Sequence, residues 1–192
     1  FQEKDWETSA KHERLMLASG LFKEYRQKKC LTMIGESNAG KGVKVGAFQA
    51  AFEDYIGTFN INSLVYNGNC SDSERANGFI LAFSNKRLAF SSEASQKISL
   101  DATLLNNIVS GGDKIPARCL YKDAVDVVNC SMLISCVNMM YRIEPVDGAL
   151  LNRLEMAQYK NIFVENPVAF NERKRDEEIK QKLEQQKNKN AL

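Results

Sequence analysis

Histidine occurs once, at His12, inside a charged stretch where it suggests no chemistry. The five cysteines (Cys30, Cys70, Cys119, Cys130 and Cys136) are odd in number, irregularly spaced and never arranged as C-x-x-C. That pattern argues against a disulfide framework and against a zinc knuckle, and it fits a reducing, cytoplasmic compartment. No apolar run approaches the roughly 18 residues that a membrane-crossing helix needs, and no basic-then-apolar signal pattern opens the chain. The reading is a soluble protein with no membrane partner. Because the chain starts at Phe1 without a methionine, it reads as a piece of a longer polypeptide. Net charge is scarce as well: 26 basic residues against 24 acidic leave +2. Any contact with nucleic acid must therefore come from a local patch and not from a whole-molecule field.

What is present is an ordinary globular composition. The 192 residues, 44% apolar and 26% charged, suit one core with a lead-in and a tail. Residues 1–29 are charged, with Leu15, Leu17, Leu21, Phe22 and Tyr25 at roughly helical spacing, and predict a lead-in helix. A core follows over residues 30–165. It opens with the apolar run Cys30 to Ile34, a glycine-bearing loop, and a helix whose Val45, Phe48, Phe52 and Tyr55 share one face. Beyond a short alternation from Phe59 comes a polar loop that Ser71 and Glu74 close as a capping box, and a helix through Phe83. Arg87 to Phe90 predict a strand leading to Glu93. Leu104, Leu105, Ile108 and Val109 predict the inner face of a helix that Gly111 and Gly112 stop. Tyr121 to Val128 read as a hairpin, and Met132 to Val137 as a buried strand ending at Asn138. Strands alternating with helices imply an α/β fold with a central, largely parallel sheet. Residues 166–192, rich in Lys, Arg, Glu and Gln from Asn171 on, predict a solvated helix or frayed tail.

The sharpest chemical signal is G-x-x-x-x-G-K between a strand and a helix, framed by Gly35, Gly40 and Lys41. In that context the backbone N–H groups of Gly35, Glu36, Ser37, Asn38, Ala39, Gly40, Lys41 and Gly42 can cradle a polyphosphate. The Lys41 ammonium reaches the outer phosphates, and the helix N-terminus adds its positive end. The plain alternative is a glycine-rich turn. One position departs from the motif: a Ser or Thr after the lysine ligates Mg²⁺, and here Gly42 supplies no oxygen. Nucleotide binding is therefore better supported than hydrolysis. Glu93, following a strand beside the loop, has the carboxylate to hold Mg²⁺ or orient an attacking water, or else is a solvated surface group. Asn138 can offer a neutral amide to a γ-phosphate, or simply form a turn.

The order of motifs, from Gly35–Lys41 through Lys86-Arg87-Leu88 to Glu93, Gly111-Gly112-Asp113-Lys114-Ile115-Pro116-Ala117-Arg118-Cys119-Leu120-Tyr121, Cys136-Val137-Asn138 and Asp147 to Leu154, resembles a superfamily 3 helicase domain. It is most similar to the poxvirus and giant-virus primase-helicase ATPase branch, which the ending Phe163-Val164-Glu165-Asn166-Pro167 also resembles. The resemblance implies a P-loop NTPase of the AAA type with a hairpin insertion, using ATP and Mg²⁺. It implies a homo-oligomer, usually a hexameric ring, that moves on single-stranded DNA at a viral replication site, with a primase domain in the same parent chain. Residue by residue it implies Glu93 as the acidic motif B group, Asn138 as the sensor after motif C, and Arg153 as an arginine finger for the neighbouring subunit. Lys114, Arg118, Tyr121 and Lys122 become the candidates for touching the DNA strand. Arg118 could equally sense nucleotide, Tyr121 could pack in the core, Lys114 and Lys122 could be solvated turn lysines, and Arg153 could form a surface salt bridge. A hydrolysis-weakened ring subunit and a small-molecule kinase are the competing classes, and the G-G-D segment argues against the kinase. The ATPase reading requires the Lys41 loop, Glu93 and Asn138 to meet at one rim of the sheet.

Overall fold

In the computed structural model, residues 3–22, 28–66, 77–91, 99–118, 123–145 and 148–185 are described. A first helix, α1 (Glu3–Leu21), leads into strand β1 (Cys30–Gly35), helix α2 (Lys41–Phe52) and β2 (Ile56–Phe59). Then come β3 (Leu88–Ser91), β4 (Ser99–Asp101), α3 (Ala102–Val109), β5 (Lys114–Ala117), β6 (Val125–Val128), β7 (Met132–Val137) and β8 (Arg142–Glu144). The chain closes with α4 (Gly148–Leu151), β9 (Leu154–Tyr159), β10 (Ile162–Val164), β11 (Glu172–Lys174) and α5 (Ile179–Glu184).

Five strands form one sheet in the order β2-β3-β7-β1-β9, and every neighbouring pair is parallel. The α/β fold with a central parallel sheet flanked by helices is thus as the sequence indicates. Parallel strands covered on both faces read as continuous apolar runs, which is why β1 and β7 stand out in the sequence. Their side chains alternate between two cores. Leu31, Met33, Met132, Ile134 and Cys136 point to a layer closed by Met16 and Leu17 of α1 and Phe48 of α2. Cys30, Leu133 and Val137 point to the opposite layer with Leu104, Leu105 and Ile108 of α3. Each such fully buried aliphatic side chain contributes on the order of 1.5–3 kcal/mol. Asp101 caps α3 by accepting the Leu104 N–H at 3.0 Å. Gly111, with φ 69°, lies just beyond the end of that helix.

A polar patch interrupts the second core. Thr32 of β1 lies directly beside Ser135 of β7. Their hydroxyls bond to each other at 3.0 Å and to the Tyr141 hydroxyl at 2.8 and 3.2 Å. Burial pushes the Tyr141 phenol up to about 12 and the Cys30 thiol up to about 12, so both stay neutral. Cys30 and Cys136 are buried, and Cys130 is exposed. Cys70 and Cys119 lie outside the described residues.

Several elements differ from the sequence reading. Helix α2 ends at Phe52, because Glu53 takes a left-handed φ of 42°. Tyr55 is therefore exposed, with Arg87 over its ring. In place of a helix through Phe83, residues Asn77–Ala82 form a tight 3₁₀ turn. Its i→i+3 winding puts Ile80 and Phe83, both fully buried, on one side. Ser71 and Glu74, the expected capping box, lie outside the described residues. The hairpin begins earlier than expected, with β5 antiparallel to β6 and Lys114 facing Val128. In the charged tail, β11 pairs with β10, and α5 packs on α2.

Candidate functional site

The loop between β1 and α2 stands at the carboxyl ends of the parallel strands, next to β7 and β9. That edge is where open α/β sheets bind ligands. Two backbone features shape it. Gly40 has φ 89° and Asn38 has φ 63°, conformations suited to glycine and tolerated by asparagine. Gly35 is pressed against β9: a Cβ there would lie 2.6 Å from the Tyr159 Cβ and 2.8 Å from its carbonyl oxygen. The loop then feeds α2, whose first N–H groups lack partners within the helix and carry the positive end of its dipole.

Lys41, the first residue of α2, is only 5% exposed. A buried ammonium needs oxygen partners. It donates to the carbonyls of Gly35 at 2.5 Å and Glu36 at 3.0 Å, and to Asn138 Oδ1 at 3.0 Å. Lys41 and Asn138, 97 residues apart in sequence, are thus joined directly at the rim. The donor set fits a polyphosphate: an ammonium and a helix N-terminus stand together at the carboxyl rim of the sheet. Among the described residues, no group of three or more His, Cys, Asp or Glu could hold a metal ion. Glu93 lies outside the described residues. The strand leading to it, β3, runs parallel to β7 and reaches Ser91, whose Oγ accepts the Cys136 N–H at 3.1 Å.

The other sequence candidates are elsewhere. Arg153 precedes β9, at the end of the sheet opposite the loop, where its carbonyl accepts the Cys30 N–H at 2.8 Å. Since β9 pairs with β1 from Leu154↔Cys30 to Tyr159↔Gly35, that residue is a strand length, roughly 17 Å, from its own loop. Its guanidinium donates to the Asn106 carbonyl at 2.7 Å. Lys114 is exposed and 3.8 Å from Asp126 across the hairpin, and Arg118 is exposed just past β5. Tyr121 and Lys122 lie outside the described residues.

No family model matches the sequence. A search of curated proteins finds one called "Putative helicase V13", from Sputnik virophage, 34% identical over 175 residues, which span 88% of this chain. The chain is homologous to a segment of that viral protein. It spans 22% of the relative's length. Among solved structures, the apo NrS-1 C terminal region superposes with a TM-score of 0.62 at 16% identity, over 97% of this chain and 42% of that one. Its A form gives 0.59 at 17% identity, over 93% and 39%. These two share the fold.

Three residues near the loop carry no signal in the sequence. Glu13 of α1 is buried, accepts the Tyr159 hydroxyl at 2.5 Å and pairs with Lys44 of α2 at 2.9 Å. The Lys44 ammonium also sits 5.1 Å from the centre of the Tyr159 ring. Burial and the Glu13 carboxylate together push the Tyr159 phenol far above its ordinary value. A glutamate in a charged helix reads as solvated, and only the fold shows that it ties α1, α2 and β9 together behind the loop. No described helix is long and apolar enough to cross a membrane.

Proposed function

We propose that the chain is the ATP-binding segment of a ring-forming helicase that moves along single-stranded DNA during viral genome replication. The observation that supports this best is the Lys41–Asn138 bond at the carboxyl rim of the sheet, together with the homology to a viral protein called a helicase. In this reading the phosphates of ATP lie over Gly35 to Gly42. Charged phosphate oxygens are stronger acceptors than the neutral oxygens that hold the Lys41 ammonium, so the ammonium transfers its hydrogen bonds to them. Asn138 then bonds the γ-phosphate or the attacking water, and Glu93 orients that water. Arg153 of a neighbouring copy of the chain, in a hexamer, neutralises charge spreading over the γ-phosphoryl oxygens. Mg²⁺, when bound near Glu93, neutralises charge on the phosphates. Lys114, Arg118, Tyr121 and Lys122 contact the strand. A longer, oligomeric form of the protein with Lys41 and Glu93 intact should hydrolyse ATP faster when single-stranded DNA is added. An ATPase rate indifferent to DNA removes the motor reading.

Gly42 favours a second reading, a ring subunit that binds nucleotide but hydrolyses it weakly. The discriminating variant is practicable, because a Cβ at that position meets no described atom within 4 Å. Gly42→Ser should fold normally. If the missing hydroxyl limits turnover, the variant raises the ATPase rate by about tenfold or more, as expected for restored positioning of a metal ligand. A rate unchanged within twofold means that Mg²⁺ is held without help from this position.

A further inference from the structure

The small β10–β11 sheet stands apart from the main sheet, yet it is fastened to the phosphate loop. Phe163 of β10 donates its N–H to the Asn38 carbonyl at 3.0 Å. Its ring lies 3.4 Å from where a Cβ on Gly40 would stand. A phenylalanine so placed would ordinarily be covered by its own protein, but this one remains 38% exposed. Its partner in the parallel register is Arg173, and paired residues of parallel strands project on the same side of the sheet. Arg173 is held in place by its own turn: its NH1 donates to the carbonyls of Phe170 and Glu172, both at 2.7 Å. An exposed ring and an arginine whose guanidinium is held by its own turn thus leave the same side of the two-stranded sheet beside the loop. Planar aromatic and guanidinium groups are the side chains on which nucleobases stack.

We propose that Phe163, with Arg173 beside it, is the platform for the base of a nucleoside triphosphate whose phosphates occupy the Gly35–Lys41 loop. The proposal rests on the nucleotide-binding reading above and adds the part of the site that distinguishes a nucleotide from bare polyphosphate. A π-face accepts any base, so the platform supplies affinity and a bound orientation more than discrimination between purines. Tethering of β10 to Asn38 fixes the separation of base and phosphate subsites.

The test compares two probes, ATP and inorganic tripolyphosphate, by titration calorimetry on the whole chain. Phe163→Ala should weaken ATP by about tenfold or more, the range for losing one base–aromatic stack. Tripolyphosphate should change by less than twofold, and Phe163→Tyr should retain ATP affinity. Phe163→Trp gives an independent reading that does not depend on the alanine variant folding: ATP should quench its added fluorescence, and tripolyphosphate should not. Equal losses for both probes in Phe163→Ala, or equal quenching of Phe163→Trp by both, would show that the ring only supports the loop and would overturn the proposal. So would an unchanged ATP affinity. If the unmodified chain binds neither probe, the nucleotide-binding reading itself fails. If it binds both and the Phe163 variants behave alike, only the base platform fails.

Discussion

Replacing Lys41 with alanine should lower ATP affinity by about a hundredfold or more, which corresponds to roughly 2.7 kcal/mol. A hydrogen bond to a charged group is worth about 1.5–3 kcal/mol, and this ammonium supplies several donors to one phosphate cluster in a partly desolvated niche. The same substitution also removes the donor shared by Gly35, Glu36 and Asn138, which releases the Asn138 amide from its position at the rim. Lys41→Arg is not a conservative rescue, since the larger guanidinium has to fit where an almost fully buried ammonium now sits. Calorimetric titration with ATP, paired with thermal unfolding of the ligand-free variants, separates lost binding from lost stability. An affinity within threefold of the unmodified chain, in a variant that unfolds normally, would show that the loop does not bind phosphates through this lysine.

The second large effect is expected at Glu13. Its carboxylate accepts the Tyr159 hydroxyl and pairs with Lys44 while only 8% of the side chain is exposed. Removing the carboxylate leaves the Tyr159 phenol unsatisfied and takes the partner from a Lys44 side chain that is itself 31% exposed, at a cost of about 3 kcal/mol. For a chain of this length that amounts to a fall in Tm of roughly 6–12 °C. Glu13→Gln keeps an acceptor for Tyr159 and loses only the charge opposite Lys44, so its fall should be smaller. Differential scanning calorimetry checks both. A change below about 2 °C for Glu13→Ala would mean that the contacts between α1, α2 and β9 are replaceable by solvent.

These two residues mark how far the sequence could be read. Lys41 belongs to a local pattern, glycine spacing between an apolar run and a helix, and such patterns survive because the atoms they bring together are near in the chain. Asn138 was legible for a related reason: β7 is apolar but for Ser135, and the polar residue that follows the strand falls at its carboxyl end. The inner face of α3 was equally plain, since its four apolar residues fit the helical period and all are buried. Glu13 and Tyr159 were not legible, and Phe163 stood out only as the start of the Phe163-to-Pro167 ending, with no role attached. Each acquires its setting from segments more than a hundred residues away. The tail strand β11 was missed because Glu172, Arg173 and Lys174 have a polar composition that suggests solvent, and only pairing with β10 makes them extended. The early start of the hairpin was masked by Pro116, which lowers strand propensity although it sits in β5 at the edge of a two-stranded ribbon.

The cluster of three hydroxyls in the sheet has a consequence for the rim above it. Thr32 stands three residues before Gly35, and Ser135 stands three residues before Asn138, so the two strands run equal distances from their shared bond to the groups that meet beside Lys41. A slip of one position between them would displace one strand by about 3.3 Å and turn Ser135 into the apolar layer on the other side. That displacement exceeds the tolerance of a 3.0 Å contact between an ammonium and an amide. The buried hydroxyls therefore act as a ruler, setting from inside the protein the gap between lysine and asparagine at its edge.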